Sequence, residues 1–452
     1  MYQGIISAEL KLWQPKLEKL ALDIWENPEK PNFEYKACKW TAELMREAGF
    51  DVEEGVAGLP TAMRASYGSG KPVYGLLGEY DALPGLSQKV ATQPEPVEPG
   101  GYGHGCSHNL LGAAHAGAAI AVKKLIELGK IPGTVVFFGC PGEEEHRGKA
   151  LMAREHLFDD VDFNISFHPY SRNAVSYGTA AALHGFRLHF KGRSAHAGTM
   201  PHQGRSALDA LELTNIGINY LREHVPTTVR MHYVITSGGQ APNVVPDSAS
   251  GWYYVRAATV KTMNEVFERM CRIAQGAAMM TDTQVEIEDE GGCYPTMPNY
   301  TLADVLYGIL QQVPQEPWTQ EELDFAAALN EDPELSYQLF PGGVTPKTYG
   351  SSGGSTDVGD VQHVSPGVFF YTACRNAACV GHSWQATACS GHSIGLKGMM
   401  FAAKIMAIFG SRVMTDPELL AAAKQEFAEK SAKQPYKCLF PDDFKIPGAE
   451  DL

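Results

Sequence analysis

What the chain is short of narrows its role before any motif is read. Lys and Arg number 37 against 52 Asp and Glu, a formal net charge of −15, and the basic residues form no cluster. A nucleic-acid partner is therefore not expected, because phosphate binding draws on grouped Lys and Arg. None of the nine cysteines stands in a Cys-x-x-Cys pair, and their odd number and wide scatter argue against a disulfide framework and for a reducing, cytoplasmic setting. Residues 1–26 lack the basic, then apolar, then small-residue pattern of a cleaved leader. They read instead as a packed helix with Leu10, Trp13, Leu17, Leu20 and Ile24 at helical spacing. The apolar run over 110–122 falls short of the roughly 20 residues needed to cross a bilayer, so no membrane span is expected.

What is present is the balance of a globular protein, with 44% hydrophobic and 20% charged residues over 452 positions, enough for two domains. Branched and aromatic runs over 73–77, 134–138, 162–167 and 368–372 alternate with helical patterns, which is the texture of an α/β fold. Polar residues gather just beyond these runs: Glu79 and Asp81, then Glu143 and Glu144, then His168. In open α/β sheets a ligand sits outside the carboxyl ends of the strands, so one shared pocket is expected. From about residue 183 the order becomes strand, helix, two strands, helix, strand. The expected architecture is thus an α/β catalytic domain with a central mixed sheet, formed by 1–182 and 295–452, with a smaller α+β unit over 183–294 inserted between them. Stretches 91–105 and 341–359 read as loops, and the tail over 430–452 has no legible role.

The chemistry gathers in few places. Cys106 and His108 stand one residue apart at the start of an alanine-rich helical run, so both can face one cation, although a buried inert thiol explains Cys106 equally well. Adjacent Glu143 and Glu144 at a strand end point different ways, which lets one bind metal while the other handles a proton; a solvated acidic turn is the plainer alternative. His168 follows an apolar strand, and spacing alone does not choose between His382 and His392 as a further ligand. Asn243 and Arg256 are candidates for holding a substrate carboxylate, with Arg256 as an ordinary strand arginine the alternative. The run Gly353-Gly354-Ser355-Thr356 offers backbone amides as an anion nest.

Five motifs then coincide: Gly-Glu79-Tyr-Asp81-Ala-Leu-Pro84, Gly-Cys106-Ser-His108-Asn109, Pro-Gly-Glu143-Glu144, Gly192-Arg-Ser-Ala-His196-Ala-Gly and Gly238-Gly-Gln-Ala-Pro-Asn243-Val-Val-Pro246. Over nearly the whole chain they resemble the di-metal amidohydrolases and metallopeptidases that include aminoacylases, glutamate carboxypeptidases and auxin-conjugate hydrolases. Gly-His382-Ser-Trp-Gln-Ala-Thr-Ala and the first motif are closest in texture to the p-aminobenzoyl-glutamate hydrolase branch. The resemblance implies two divalent ions, zinc or manganese, on Cys106, His108, Glu144, His168 and His382, with Glu143 as general base and acid and Asp81 in support. Glu79 is then structural and His392 no ligand. It also implies that His196 of the smaller unit reaches the active site of a partner subunit, hence a homodimer or a hetero-oligomer with a related subunit.

The implied reaction is amide hydrolysis of N-acyl amino acids, with dipeptidase or aminoacylase activity as the near alternative. Tyr80, Tyr102, Tyr170 and Trp384 hint at an aromatic acyl group. A cysteine hydrolase using Cys106, or a silent binding subunit, are the rivals from other classes. Three departures stand out. Asn109 replaces a frequent Asp and is expected to retune metal binding; Glu145-His146-Arg147 replaces small glycines beside the acid pair; Ser107 replaces a frequent Gly, tolerable if it takes helix-start geometry.

Overall fold

Residues 2–145, 147–330 and 339–446 are described by this computed structural model, and among them eleven strands form two sheets. In chain order they are β1 (Asp51–Glu54), β2 (Met63–Ser69), β3 (Val73–Gly78), β4 (Gly133–Gly139), β5 (Phe163–Tyr170), β6 (Ala174–Val175), β7 (Ala182–Lys191), β8 (Arg230–Ser237), β9 (Ser248–Ala257), β10 (Gln284–Cys293) and β11 (Gly367–Ala373). The larger sheet runs β1-β2-β4-β3-β5-β11-β6. Its centre, β4, β3, β5 and β11, is parallel, while β1, β2 and β6 pair antiparallel.

Alternation along these strands feeds two cores. Tyr74, Leu76, Phe137, Ile165 and Phe370 turn toward the helices Gln3–Glu26, His108–Glu127 and Ser393–Met414. Val73, Leu77, Phe138 and Phe369 turn to the opposite side, where the helices Gly148–Arg154 and Val358–Gln362 lie. A parallel sheet covered on both faces is why these strands read as near-continuous apolar runs. Helix Ser393–Met414 is long and apolar enough to cross a membrane, at mean hydropathy 1.3, a stretch that the apolar run over 110–122 overshadows in the sequence. With 72% of that window buried it is a core helix of this fold. Tyr436 and Phe440 of the tail seal the second core, Tyr436 donating to Asp360 Oδ1 at 3.0 Å; residues 447–452 lie outside the described residues.

The smaller sheet runs β10-β7-β9-β8, antiparallel throughout. Phe186, Leu188, Tyr253 and Val255 bury against the helices Ala207–Leu221 and Val260–Thr281, whose starts are capped by Ser206 and Thr259. By period two, Tyr254 and Arg256 face the other way, into a cavity shared with the larger sheet. Strand β8 is a free edge, with Val234 54% and Ile235 48% exposed.

Candidate metal centre

The loops beyond the parallel strands carry the expected ligands, and glycine lets a helix approach them. A Cβ on Gly112 would lie 2.5 Å from the Glu79 carbonyl oxygen, so only glycine allows helix His108–Glu127 to press its first turn onto the end of β3. His108, fully buried, meets Asp81 there: its Nδ1 donates to Asp81 Oδ1 at 2.7 Å, while Asp81 Oδ2 accepts the Glu144 amide at 3.0 Å. One carboxylate thus fixes a ligand's tautomer and the backbone of the next. His168 Nδ1 donates to the Pro169 carbonyl at 2.8 Å, which turns Nε2 to Cys106 Sγ at 3.3 Å. His382 Nε2 stands 3.6 Å from Glu144 Oε1.

These donors fit divalent ions. His108 Nε2 and Glu144 Oε1 are buried without a hydrogen-bond partner. Cys106, His108 and His168 form one set with all ligand atoms within 4.8 Å of one another; Cys106, Glu144 and His382 form a second, and His108, Glu143 and Glu144 a third. Ligands on a tetrahedral ion with bonds of about 2.0 to 2.3 Å stand about 3.3 to 3.8 Å apart, the spacing of the Cys106–His168 and Glu144–His382 pairs. Burial, then the charge of Glu143, pushes the Glu144 carboxyl up to about 8, an anion crowding that a cation relieves. Burial and Glu144 also push the Cys106 thiol up, while burial and His108 bring His168 down to about 3. A cysteine nucleophile is served by the opposite pair of shifts, so they give no support to the cysteine-hydrolase alternative.

The cluster opens into a cavity of about 890 Å³, lined by Cys106, Glu143, Glu144, His168, His382, Gly354 and Ser355 together with Arg147, Arg172, Arg256 and Arg375. Arg147 and Arg375 are each only 4% exposed, and among the described residues none of the four guanidiniums pairs with a carboxylate. Ser355 Oγ is buried without a partner, whereas Gly354 spends its carbonyl on the Ala181 amide at 2.8 Å.

Other expected residues lie elsewhere. His196 and Asn243 share a loop pair of the smaller unit, where the Asn243 carbonyl accepts the Ala197 amide at 3.0 Å; both are exposed and neither lines the cavity of its own chain. His392 caps helix Ser393–Met414 and stacks on Phe325 at 4.0 Å, away from the cluster. Of Tyr80, Tyr102, Tyr170 and Trp384, Tyr170 alone lines the cavity. Asn109 turns away from the ligands, donating to the carbonyls of Ala21 and Ser390 at 3.1 Å each, so it ties helices together and touches no ligand. Ser107 makes no capping bond; it adopts φ +67°, the left-handed region that favours the glycine it replaces, and its Oγ instead accepts Ser390 at 2.7 Å. His146 lies outside the described residues. Lys149 and Asp357 stand in none of the expected motifs, yet they border the site. Lys149 Nζ, fully buried, stands 2.6 Å from both Glu79 Oε1 and Asp357 Oδ1, behind the His108 ring. A lysine beside the apolar run Ala150-Leu-Met-Ala was the signal for it.

Residues 75–407 match the profile of peptidase family M20/M25/M40. The chain is 39% identical over 454 residues to a subunit of the p-aminobenzoyl-glutamate hydrolase of Escherichia coli (strain K12), covering 93% of this chain and 94% of that one. It is 29% identical to the Xaa-Arg dipeptidase of Mus musculus over 91% of this chain and 89% of that one. A Bacillus subtilis dinuclear metal-binding peptidase of the M20 family shares the fold at 19% identity, with a TM-score of 0.56 over 89% of this chain and 99% of that chain. A match of this extent, on this fold and around these donors, makes the chain a member of peptidase family M20/M25/M40, a hydrolase that works with bound metal.

Proposed function

We propose that the chain hydrolyses the amide bond of N-acyl amino acids, aromatic ones such as p-aminobenzoyl-glutamate or auxin-type conjugates among them. Two divalent ions, zinc or manganese, would be held by Cys106, His108, Glu144, His168 and His382. The observation that carries this reading is the donor cluster opening onto a cavity whose guanidiniums have no carboxylate partner among the described residues. An amino-acid carboxylate supplies one. When bound, the ions supply Lewis acidity toward a carbonyl and a lowered pKa for water. The chain's own acid–base group is Glu143, whose carboxyl burial and the Glu79 charge push up. A raised carboxyl suits a group that takes a proton from water and returns it to the departing amine. Arg256 and Ser355 face the same space and would orient the substrate carboxylate.

An Xaa-Arg dipeptide fits this cavity poorly, because its guanidinium would enter a wall already carrying four. A silent binding chain has no need of an acid–base carboxyl beside a metal-ready cluster. We further propose that 183–294 form a unit of their own, inserted between 1–182 and 295–452, and that it dimerises through the free edge of β8, bringing His196 and Asn243 of one protomer to the cavity of another. Two of the relatives are different subunits of one hydrolase, so a related chain is a suitable partner as well. The nine free thiols suit a reducing, cytoplasmic setting.

The test is hydrolysis of a panel of aromatic N-acyl amino acids and dipeptides by chelated enzyme reloaded with zinc or manganese. Activity should vanish with chelator and return with one of the ions. Glu143→Gln should lose at least ~100-fold in kcat while retaining its bound metal by elemental analysis, since general acid–base groups contribute about 10²- to 10⁴-fold. Chelator-resistant turnover, or full activity in E143Q, would sink the reading.

A further inference from the structure

Tyr254 of β9 is the centre of a cationic wall that the metal ligands do not explain. Arg147, 4% exposed, lies with its guanidinium carbon 5.5 Å from the Tyr254 ring centre. Arg256 leaves the same face of β9 two residues on, and His232 sits directly across from Tyr254 on β8. All four line the cavity, as does Glu143. The Arg147 head donates Nη1 to the Glu145 carbonyl at 2.8 Å and lies over the Tyr254 ring. Nearby Glu290 is already spent on Arg187 Nε at 2.6 Å and on Trp252 Nε1. Burial brings Arg256 down and the charge of Arg147 adds to it, while the charge of Glu143, which also acts on Arg147, opposes it, so the two guanidiniums repel across Tyr254 with Glu143 the carboxylate that acts on both. Burying like charges in this way is costly unless an anion joins them.

Arg147 also holds φ +49°, a left-handed backbone at a bulky residue, two residues past the acid loop and one before helix Gly148–Arg154. Its amide closes the loop on the Gly142 carbonyl at 2.6 Å. The guanidinium is therefore carried on the same short loop as Glu143, the group proposed to handle the proton.

We propose that Arg147 determines specificity: across Tyr254 from Arg256, which orients the amino-acid carboxylate, it holds the side-chain carboxylate of a dicarboxylic leaving amino acid, of the glutamate or aspartate class, beside Glu143. The inference rests on the amidohydrolase reading above and narrows it to conjugates that carry a second carboxylate on the amine side. Arg375 stands elsewhere in the cavity, its guanidinium donating to the Pro169 carbonyl at 3.4 Å and lying 5.3 Å from the Tyr170 ring centre.

The experiment measures kcat/KM of the metal-loaded enzyme on three matched aromatic N-acyl conjugates, of glutamate, glutamine and glycine. Wild type should prefer glutamate over glutamine by roughly 10- to 100-fold, the range for a charge-assisted pair. Arg147→Met should bring that ratio to within about threefold of one, and Arg147→Lys should restore part of it. Equal turnover of glutamate and glutamine conjugates by wild type overturns the inference; so does R147M lowering both while keeping their ratio, the result of a merely structural loop residue. Hydrolysis of none of the three overturns the amidohydrolase reading itself, and the inference with it. If R147M does not fold, competitive inhibition of wild type decides: glutarate should inhibit at least ~10-fold better than butyrate, and equal inhibition overturns the assignment.

Discussion

An amide in place of a carboxylate can look like a retuned metal site when it is a structural staple. Asn109 follows His108 directly, yet both its amide hydrogens go to carbonyls, of Ala21 and of Ser390, 281 residues on. Aspartate there would aim lone pairs at two buried carbonyl oxygens and bury an unpaired charge. Asn109→Asp should therefore cost about 3 to 5 kcal/mol, read by denaturant melts, with metal content by elemental analysis unchanged. Reduced metal content at unchanged stability would return Asn109 to the metal site. The residues of the donor cluster were legible as candidates because each lies in or just beyond an apolar strand or at a helix start, where chemistry and pattern coincide. Side-chain direction was not legible, which is how Asn109 came to be misread. Nor was the meeting of Lys149 with Asp357 across 208 residues, which depends on the packing of two short helices on the sheet's far side.

At the scale of elements, one carboxylate pins three pieces of chain. Asp162, just before β5, accepts the Val73 amide at the start of β3 at 2.7 Å, pairs with Lys71 at 3.2 Å, and bonds Lys424 of the helix Pro417–Ser431. Burial alone would raise its pKa, but the Lys424 bond and the Val73 amide prevail and hold it below the usual carboxylate range. The folded protein then binds fewer protons at this site than the unfolded chain. Its stabilising effect is full above the unfolded value near 4 and drains away as pH falls through the lower folded one. Thermal melts from pH 7 to pH 3 should show Asp162→Asn less stable than wild type at neutral pH, with the gap closing in acid; a gap constant with pH would show that charge is not what Asp162 contributes. The strands flanking this pin were legible as apolar runs, and their ends were less so. β5 runs on to Tyr170 and takes His168 into the sheet, because Tyr371 and Ala373 of β11 supply partners that no local pattern announces. Two-residue β6 is too short to show any alternation.

The whole molecule raises the question of which chain completes which site. Within one chain His196 and Asn243 stay on an exposed loop pair of the smaller unit while Glu143 and the ligand cluster line the cavity, so the two halves of the expected machinery are separate. The motifs made both halves legible, and it is the family resemblance, not the residue pattern itself, that implies they meet between two protomers. Edge strand β8, with Val234 and Ile235 outward, offers a surface for a second copy. If the site is shared, H196A and E143Q should each be inactive alone, since each homodimer lacks one component at both sites. In a mixed dimer, however, the site bearing an intact Glu143 receives the intact His196 of its neighbour. Random exchange of equal amounts makes half the dimers mixed, each with one working site, so activity should recover to about a quarter of wild type. The recovery should scale with the mixed fraction measured by native mass spectrometry of differently tagged chains. Mixed dimers without recovered activity would show that His196 does not complete the neighbour's site.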